Sequence, residues 1–306
     1  MRLAFLRGTT ATLLLVSSVV LPATRAGAAT AGPYVDISPP AVVGAGLNPT
    51  DLPVQVVNTG GTAHFSIRLR LTVTPVAGSA VRPLASTLVL THQFGSQYRQ
   101  LSYETRGDSL VATTPELSGV DAGGTATVRL QVSTRPTSSA PHVDDVTVRV
   151  TTEALDDYGT TFATDPEPDR MTMVEPRAEL TGWPDRLPVG APAVVTMTLT
   201  NTTPLPYPLL RPGLALYRSG NEQVIVERLD GGQWTQVSGP SSGYYWWYAD
   251  GYPSLQPGQT YTATLRVTFT DDSAAGEQGF VYHLGYTYFG TPVTVAGQPY
   301  TIAARD

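Results

Sequence analysis

Apolar and polar residues alternate along most of this chain, which is the pattern of half-buried β-strands. Between His64 and Val73, the residues Phe65, Ile67, Leu69, Leu71 and Val73 fall on one side of an extended backbone. His64, Ser66, Arg68, Arg70 and Thr72 fall on the other. The same spacing recurs at Val128/Leu130/Val132, Val146/Val148/Val150, Val195/Met197/Leu199 and Leu265/Val267/Phe269, with Thr, Arg or Gln opposite. One wet face per strand marks antiparallel sheets, because parallel sheets are covered on both faces and lose the alternation. Gly, Pro, Asn and Asp clusters separate the runs, and no sustained helical period interrupts them. The pattern predicts an all-β chain of sandwich architecture.

Two stretches of the pattern are written twice. Pro53-Val-Gln-Val-Val-Asn58-Thr59-Gly60 is echoed by Val194-Val-Thr-Met-Thr-Leu-Thr-Asn201-Thr202-Thr203. Gly123-Gly-Thr125-Ala-Thr-Val128-Arg-Leu130-Gln-Val132 and Gly258-Gln-Thr260-Tyr-Thr-Ala263-Thr-Leu265-Arg-Val267 match with identical spacing. The duplication predicts two tandem antiparallel β-sandwich domains, at 31–175 and 176–306. Their boundary is expected near the Pro- and acid-rich stretch that runs from Asp165 through Arg170 to Pro176. Strands this closely spaced leave little room for a flexible linker, so the domains are expected to abut.

The first residues change the picture at one end. Arg2 and Arg7 precede an apolar run, Ala11 to Leu21, that is too short to span a membrane, and Ala26-Gly27-Ala28 offers small residues for cleavage. Residues 1–28 are therefore expected to be a signal peptide, and the mature chain extracellular, free or associated with the cell wall. No later segment is apolar enough to cross a bilayer as a helix. The formal charge is −6, and removal of Arg2, Arg7 and Arg25 with the signal makes it more acidic. All 19 basic residues are arginine and none form a cluster, which argues against nucleic acid and anionic membranes as partners. Without lysine there is no Schiff-base chemistry. Without cysteine there is no disulfide, thiol nucleophile or thiolate metal site. Domains near this size can do without such staples, and their stability rests on apolar packing and sheet hydrogen bonds.

The stretch Val54-x-Val56-x-Asn58-Thr59-Gly60, with Pro257-Gly258-x-Thr260 further on, resembles bacterial Ig-like modules of the NEW3 and CARDB type. In those modules a strand ends in Asn-Thr-Gly, and a later Pro-Gly-x-Thr opens another strand. Thr203 stands where the glycine would be in the second copy, and Ala122 replaces the proline in the first. The resemblance implies two Ig-like sandwiches and an accessory, adhesive or spacer role without enzymatic activity. Asn58 and Asn201 read as structural, since Asn caps turns and tolerates left-handed backbone.

Candidate chemistry is thin. The aromatic run Tyr244-Tyr245-Trp246-Trp247-Tyr248 is the best binding candidate, because an exposed aromatic pair can stack on the C–H face of a sugar ring. A carbohydrate-binding reading would use Tyr245 and Trp247, or Trp246 with Tyr244 and Tyr248; the competing reading puts them in the core or between domains. Phe280, Tyr282, Leu284, Tyr286 and Tyr288 form a second stripe, expected to be core. Gly239-Pro-Ser241-Ser-Gly243, followed by Asp271 and His283, mimics a nucleophile elbow but lacks the helix that must follow the serine. Arg106-Gly107-Asp108 reads as a surface turn, the paired acids as solvated turns, and His64 and His283 as surface or edge residues. The four histidines lack zinc spacing. No catalytic residue, metal or cofactor is expected, and the partner would be an extracellular polysaccharide or a protein. A passive spacer remains the alternative, and an enzyme would need a cleft of converging groups that no motif here supplies.

Overall fold

The first half of the chain builds two layers whose inner faces close on one core. The structure is a computed structural model, and it describes residues 32–77, 84–135, 145–218, 224–237, 244–248, 253–270, 275–276, 278–287 and 292–305. Its strands are β1 (Tyr34–Ile37), β2 (Val42–Gly44), β3 (Thr50–Val57), β4 (His64–Pro75), β5 (Leu88–Phe94), β6 (Gln97–Gln100) and β7 (Tyr103–Arg106). They continue with β8 (Ser109–Thr113), β9 (Leu117–Val120), β10 (Thr125–Thr134), β11 (Val146–Leu155), β12 (Thr161–Thr164) and β13 (Asp169–Val174). One helical turn, α1 (Leu84–Thr87), precedes β5. The first layer runs β6-β5-β10-β3-β1 and the second β2-β13-β11-β4-β8-β7. A parallel pairing of β1 with β12, Tyr34 opposite Thr164, curls one layer into the other.

The second half contains β14 (Arg177–Thr181), β15 (Arg186–Pro188), β16 (Ala193–Thr200), β17 (Leu210–Arg218) and β18 (Val224–Asp230). It ends with β19 (Gln233–Val237), β20 (Tyr244–Tyr248), β21 (Thr260–Phe269), β22 (Gln278–Thr287) and β23 (Pro292–Ala303). Its sheets run β14-β16-β21-β18-β19 and β15-β23-β22-β17-β20. The first follows the order β1-β3-β10-β5-β6, and the second follows β2-β13-β11-β4-β8. In both second-layer sheets the first pair is parallel and the others antiparallel.

The alternation read from the sequence sets the inner faces. Leu52, Val54 and Val56 of β3 and Val128, Leu130 and Val132 of β10 pack against Ile67, Leu69, Leu71 and Val73 of β4 and Val146, Val148 and Val150 of β11. In the second half Val195 and Met197 of β16 and Leu265, Val267 and Phe269 of β21 face Leu214 and Leu216 of β17 and Val281 of β22. Each such side chain, fully buried, contributes roughly 1.5–3 kcal/mol. A smaller cluster of Ala178, Leu199, Tyr207, Leu210 and Leu255 also receives Leu47 from the first half. Gly44 belongs to that contact: a Cβ there would lie 3.0 Å from the Tyr207 hydroxyl oxygen and 3.2 Å from Leu205 Cδ1.

Both duplicated asparagines are buried and close the same corner. Asn58 Nδ2 donates to Thr62 O (2.7 Å) and Asp121 O (3.1 Å), while its Oδ1 accepts from Gly60 N (3.0 Å). Asn201 Nδ2 donates to Leu205 O (2.8 Å) and Leu255 O (2.9 Å), and its Oδ1 accepts from Thr203 N (3.1 Å). Their backbone N–H groups donate to Gly124 O and Gln259 O, both at 2.9 Å. Gly123 and Gly258 sit beside them at φ 70° and 79°, a left-handed conformation that favours glycine.

Two expectations need correction. Phe65 lies 91% exposed, because β11 pairs with β4 only as far as Arg68 and the strand runs on past the core. On β22 Val281 and His283 are buried, whereas Phe280 and Tyr282 are half-buried on the other face. Their rings stack at 4.5 Å over Gly297 of β23, whose missing side chain leaves room for them. The stripe expected in the core is therefore an outer stripe at these two positions; the side chains of Leu284 and Tyr286, and Tyr288, lie outside the described residues. Asp169 and Arg170 belong to β13, and Glu175 and Pro176 connect the last strand of the first half to β14.

Candidate interaction site

The aromatic strand β20 is the edge of its sheet and pairs with β17, Trp247 opposite Leu214. Trp247 is 3% exposed and packs in the core with Leu187, Val195 and Val281. It presents no surface to a ligand, so its place in the expected sugar platform is taken away. The side chains of Tyr245 and Trp246 lie outside the described residues, as do Tyr244 and Tyr248.

Exposed aromatics gather elsewhere, at the end of the first half remote from the second. There β1, β4 and β10 begin and β3 and β9 end, as the register Tyr34–Val57–Thr125 and His64–Val120 requires. Phe65 (91% exposed) starts β4, and Tyr158 (93%) tips the β11–β12 hairpin. A polar bridge joins their neighbours: Asp157 Oδ1 accepts from Ser66 N at 2.9 Å and also from the Ser66 hydroxyl. That hydroxyl, more than any other group, holds the Asp157 carboxyl below the usual carboxylate range. The hairpin tip is itself fixed, since Asp156 Oδ1 accepts from Tyr158 N (3.0 Å) and Thr160 N (2.8 Å). His64 stacks on Phe162 at 3.8 Å beside it. The arrangement offers two exposed rings on a hydrogen-bonded frame with a carboxylate between their neighbours. Such a surface stacks on apolar ligand faces and accepts hydrogen bonds. The sequence concealed it because Phe65 obeys the core alternation and Tyr158 is a lone aromatic in a turn.

The remaining candidates resolve into structure. Arg106 and Asp108 flank Gly107 (φ 59°) in the β7–β8 turn, and the Arg106 guanidinium is paired with Glu104 at 2.8 Å. Ser241 and Asp271 lie outside the described residues. His283, read as a surface or edge residue, is fully buried, with Nδ1 3.1 Å from Glu179 O. Burial holds its pKa down at about 4, so the ring is neutral; Nδ1–H donates and Nε2 has no hydrogen-bond partner. Tyr207 is buried where the halves meet. Burial first, then the charges of Glu175 and Asp145, raise its pKa above the usual phenol value. Among the described residues no group of three His, Asp or Glu side chains is gathered around a point a metal could occupy. None of their helices is long and apolar enough to cross a membrane.

No protein-family model and no curated protein matches the chain. Solved structures give distant likenesses. AvmM, which catalyses macrocyclization in alchivemycin A biosynthesis, is 11% identical over 47% of this chain and 89% of its own, with a TM-score of 0.34. Red sea bream transglutaminase is 13% identical over 89% of this chain and 31% of its own, at 0.27. Escherichia coli alpha-2-macroglobulin activated by porcine elastase is 12% identical over 89% and 22%, at 0.32.

Proposed function

We propose that the chain is a secreted, non-enzymatic interaction or structural module of the extracellular space or cell wall. It would consist of two tandem Ig-like sandwiches, at 31–175 and 176–306, behind an export signal at 1–28. The matching strand orders and matching asparagine corners of the two halves support the tandem reading. The observation that carries the interaction role is the exposed pair Phe65 and Tyr158, held on a fixed frame at the far end of the first half. Large rings left in water on an ordered frame favour a partner that covers them.

Carbohydrate is the second reading, moved from β20 to this surface, where Tyr158 supplies a stacking ring and Asp157 an acceptor. Co-sedimentation of the purified protein with insoluble peptidoglycan, cellulose and chitin tests it, with a Phe65→Ser/Tyr158→Ser variant alongside. Retention that the variant loses, at an unchanged melting temperature, supports a glycan-binding role. No retention of either protein overturns that second reading.

A further inference from the structure

The turn Asp121–Gly124 opens a hairpin whose two arms go to different layers. Strand β9 pairs with β4, with Val120 opposite His64 and Leu117 opposite Ile67. Strand β10 pairs with β3 from Thr125 to Val132, but with β5 only from Leu130 to Thr134. Beyond His92, β5 turns into its own hairpin with β6, closed at Gly95 (φ 61°), and the Arg99 guanidinium stacks on Phe94 at 4.1 Å. The edge of β10 from Thr125 to Arg129 is thus left without a strand on that side among the described residues.

A groove of about 600 Å³ lies between the arms, within the roughly 300–1,000 Å³ common for binding sites. Its lining includes every residue of 117–121 and 124–129, together with Gln93 and Gly95. Strand side chains alternate between faces, so an unbroken run of lining residues means that backbone edges form the walls. The phase of β10 fixes which groups point inward. Gly124 O accepts from Asn58 N on the β3 side, and Arg135 N donates to Thr87 O on the β5 side. Counting by twos from these ends, the N–H and C=O groups of Thr125 and Thr127 and the N–H of Arg129 face the groove, while the Leu130–His92 register places Arg129 O at the end of the β5 ladder. Gly95, Gly119 and Gly124 keep it free of side chains at three points.

We propose that this groove binds an extended polypeptide segment of a partner by strand addition to β10. An added strand would continue the ladder that β5 begins at Leu130. Five residues of open edge match a partner segment of about five residues, roughly 17 Å long. Main-chain hydrogen bonds from Thr125, Thr127 and Arg129 would supply affinity, and the close walls would select small or β-branched side chains. This site is distinct from the Phe65/Tyr158 surface, so either can fail without the other.

The test uses Thr127→Pro. Proline removes a groove-facing N–H while leaving the β3 ladder, which uses the even-numbered positions, and edge strands accept proline. A phage-displayed random heptapeptide library is panned on the purified protein, with the variant as counter-target. The expected result is peptides that bind the unaltered protein at least tenfold better than the variant. The amides of Thr125, Thr127 and Arg129 should become protected from hydrogen exchange in the peptide complex. Should Thr127→Pro fail to melt cooperatively, Ser118→Trp, which fills the groove, replaces it as counter-target. Enriched peptides that bind both proteins equally, or no enrichment at all, overturn the proposal. So does a protein that light scattering finds dimeric and the variant monomeric, since the edge would then serve a second copy. A Phe65→Ser/Tyr158→Ser variant should capture the same peptides unchanged.

Discussion

Asn58 and Asn201 occupy equivalent corners of two sheets, each buried amide tying the end of one strand to the loop that opens the next. The preceding residues hold the same register, Val57 opposite Thr125 and Thr200 opposite Thr260. An alanine at either site removes two donated bonds, to part-buried carbonyls at Asn58 and to one buried carbonyl at Asn201, at a cost of about 1–3 kcal/mol. Urea unfolding of Asn58→Ala and Asn201→Ala should read that loss. If the tandem reading holds, each change moves one transition and spares the other; one shared transition for both variants would count against it.

His283 should make the protein acid-sensitive. Its ring is neutral and buried when folded, with a pKa near 4, but titrates near 6.5 when unfolded. The stability it contributes is fully present above pH 6.5. As pH falls from 6.5 towards 4 the unfolded state takes up the proton first, and roughly 3 kcal/mol is lost. His283→Gln keeps a donor for Glu179 O and should flatten the melting temperature across that window. A variant whose pH profile overlays the parent's would exclude His283 as the source.

Trp247 and Phe65 should respond in opposite ways to truncation. Trp247→Ala opens a cavity in the second core and should cost about 3–5 kcal/mol. Phe65→Ser changes a residue already in water and should stay within about 0.5 kcal/mol. Chemical denaturation of the two variants separates a core aromatic from a surface one.

Gly119→Ala should destabilise the first half. A Cβ at Gly119 would collide with the carbonyl oxygens of His64 and Phe65, backbone atoms that cannot swing aside. Overpacking of this kind costs about 1–3 kcal/mol, and β9 would be levered off β4. A melting temperature equal to the parent's would mean that β9 does not approach β4 so closely.

The strands were legible wherever a period-two run met a layer opposite it. Val128, Leu130 and Val132, or Val195, Met197 and Leu199, are buried as the alternation requires. The reading failed where hydrophobicity and burial part company. Phe65 keeps the phase of Ile67 and Leu69 but stands beyond the last β11 pairing. Phe280 and Tyr282 outweigh Val281 and His283 in apolar bulk, yet Gly297 makes room for rings on the outer face. The inward histidine is accepted because Glu179 presents a carbonyl to it from another sheet, a partner far away in the chain. The candidate surface was hidden for the same reason, since Ser66 and Asp157 meet only through the fold. The groove was hidden too, because an unpaired edge leaves no mark on side-chain identity.

In each half the second strand lies beside the last and runs the same way, β2 beside β13 and β15 beside β23. Tension applied along the chain would draw the early strand of each pair backwards and the late one forwards. The hydrogen bonds between them would then be sheared together rather than peeled one at a time. A chain anchored at one end and loaded at the other would resist extension through these two clamps, joined by the short stretch from Glu175 to Asp185 that carries β14.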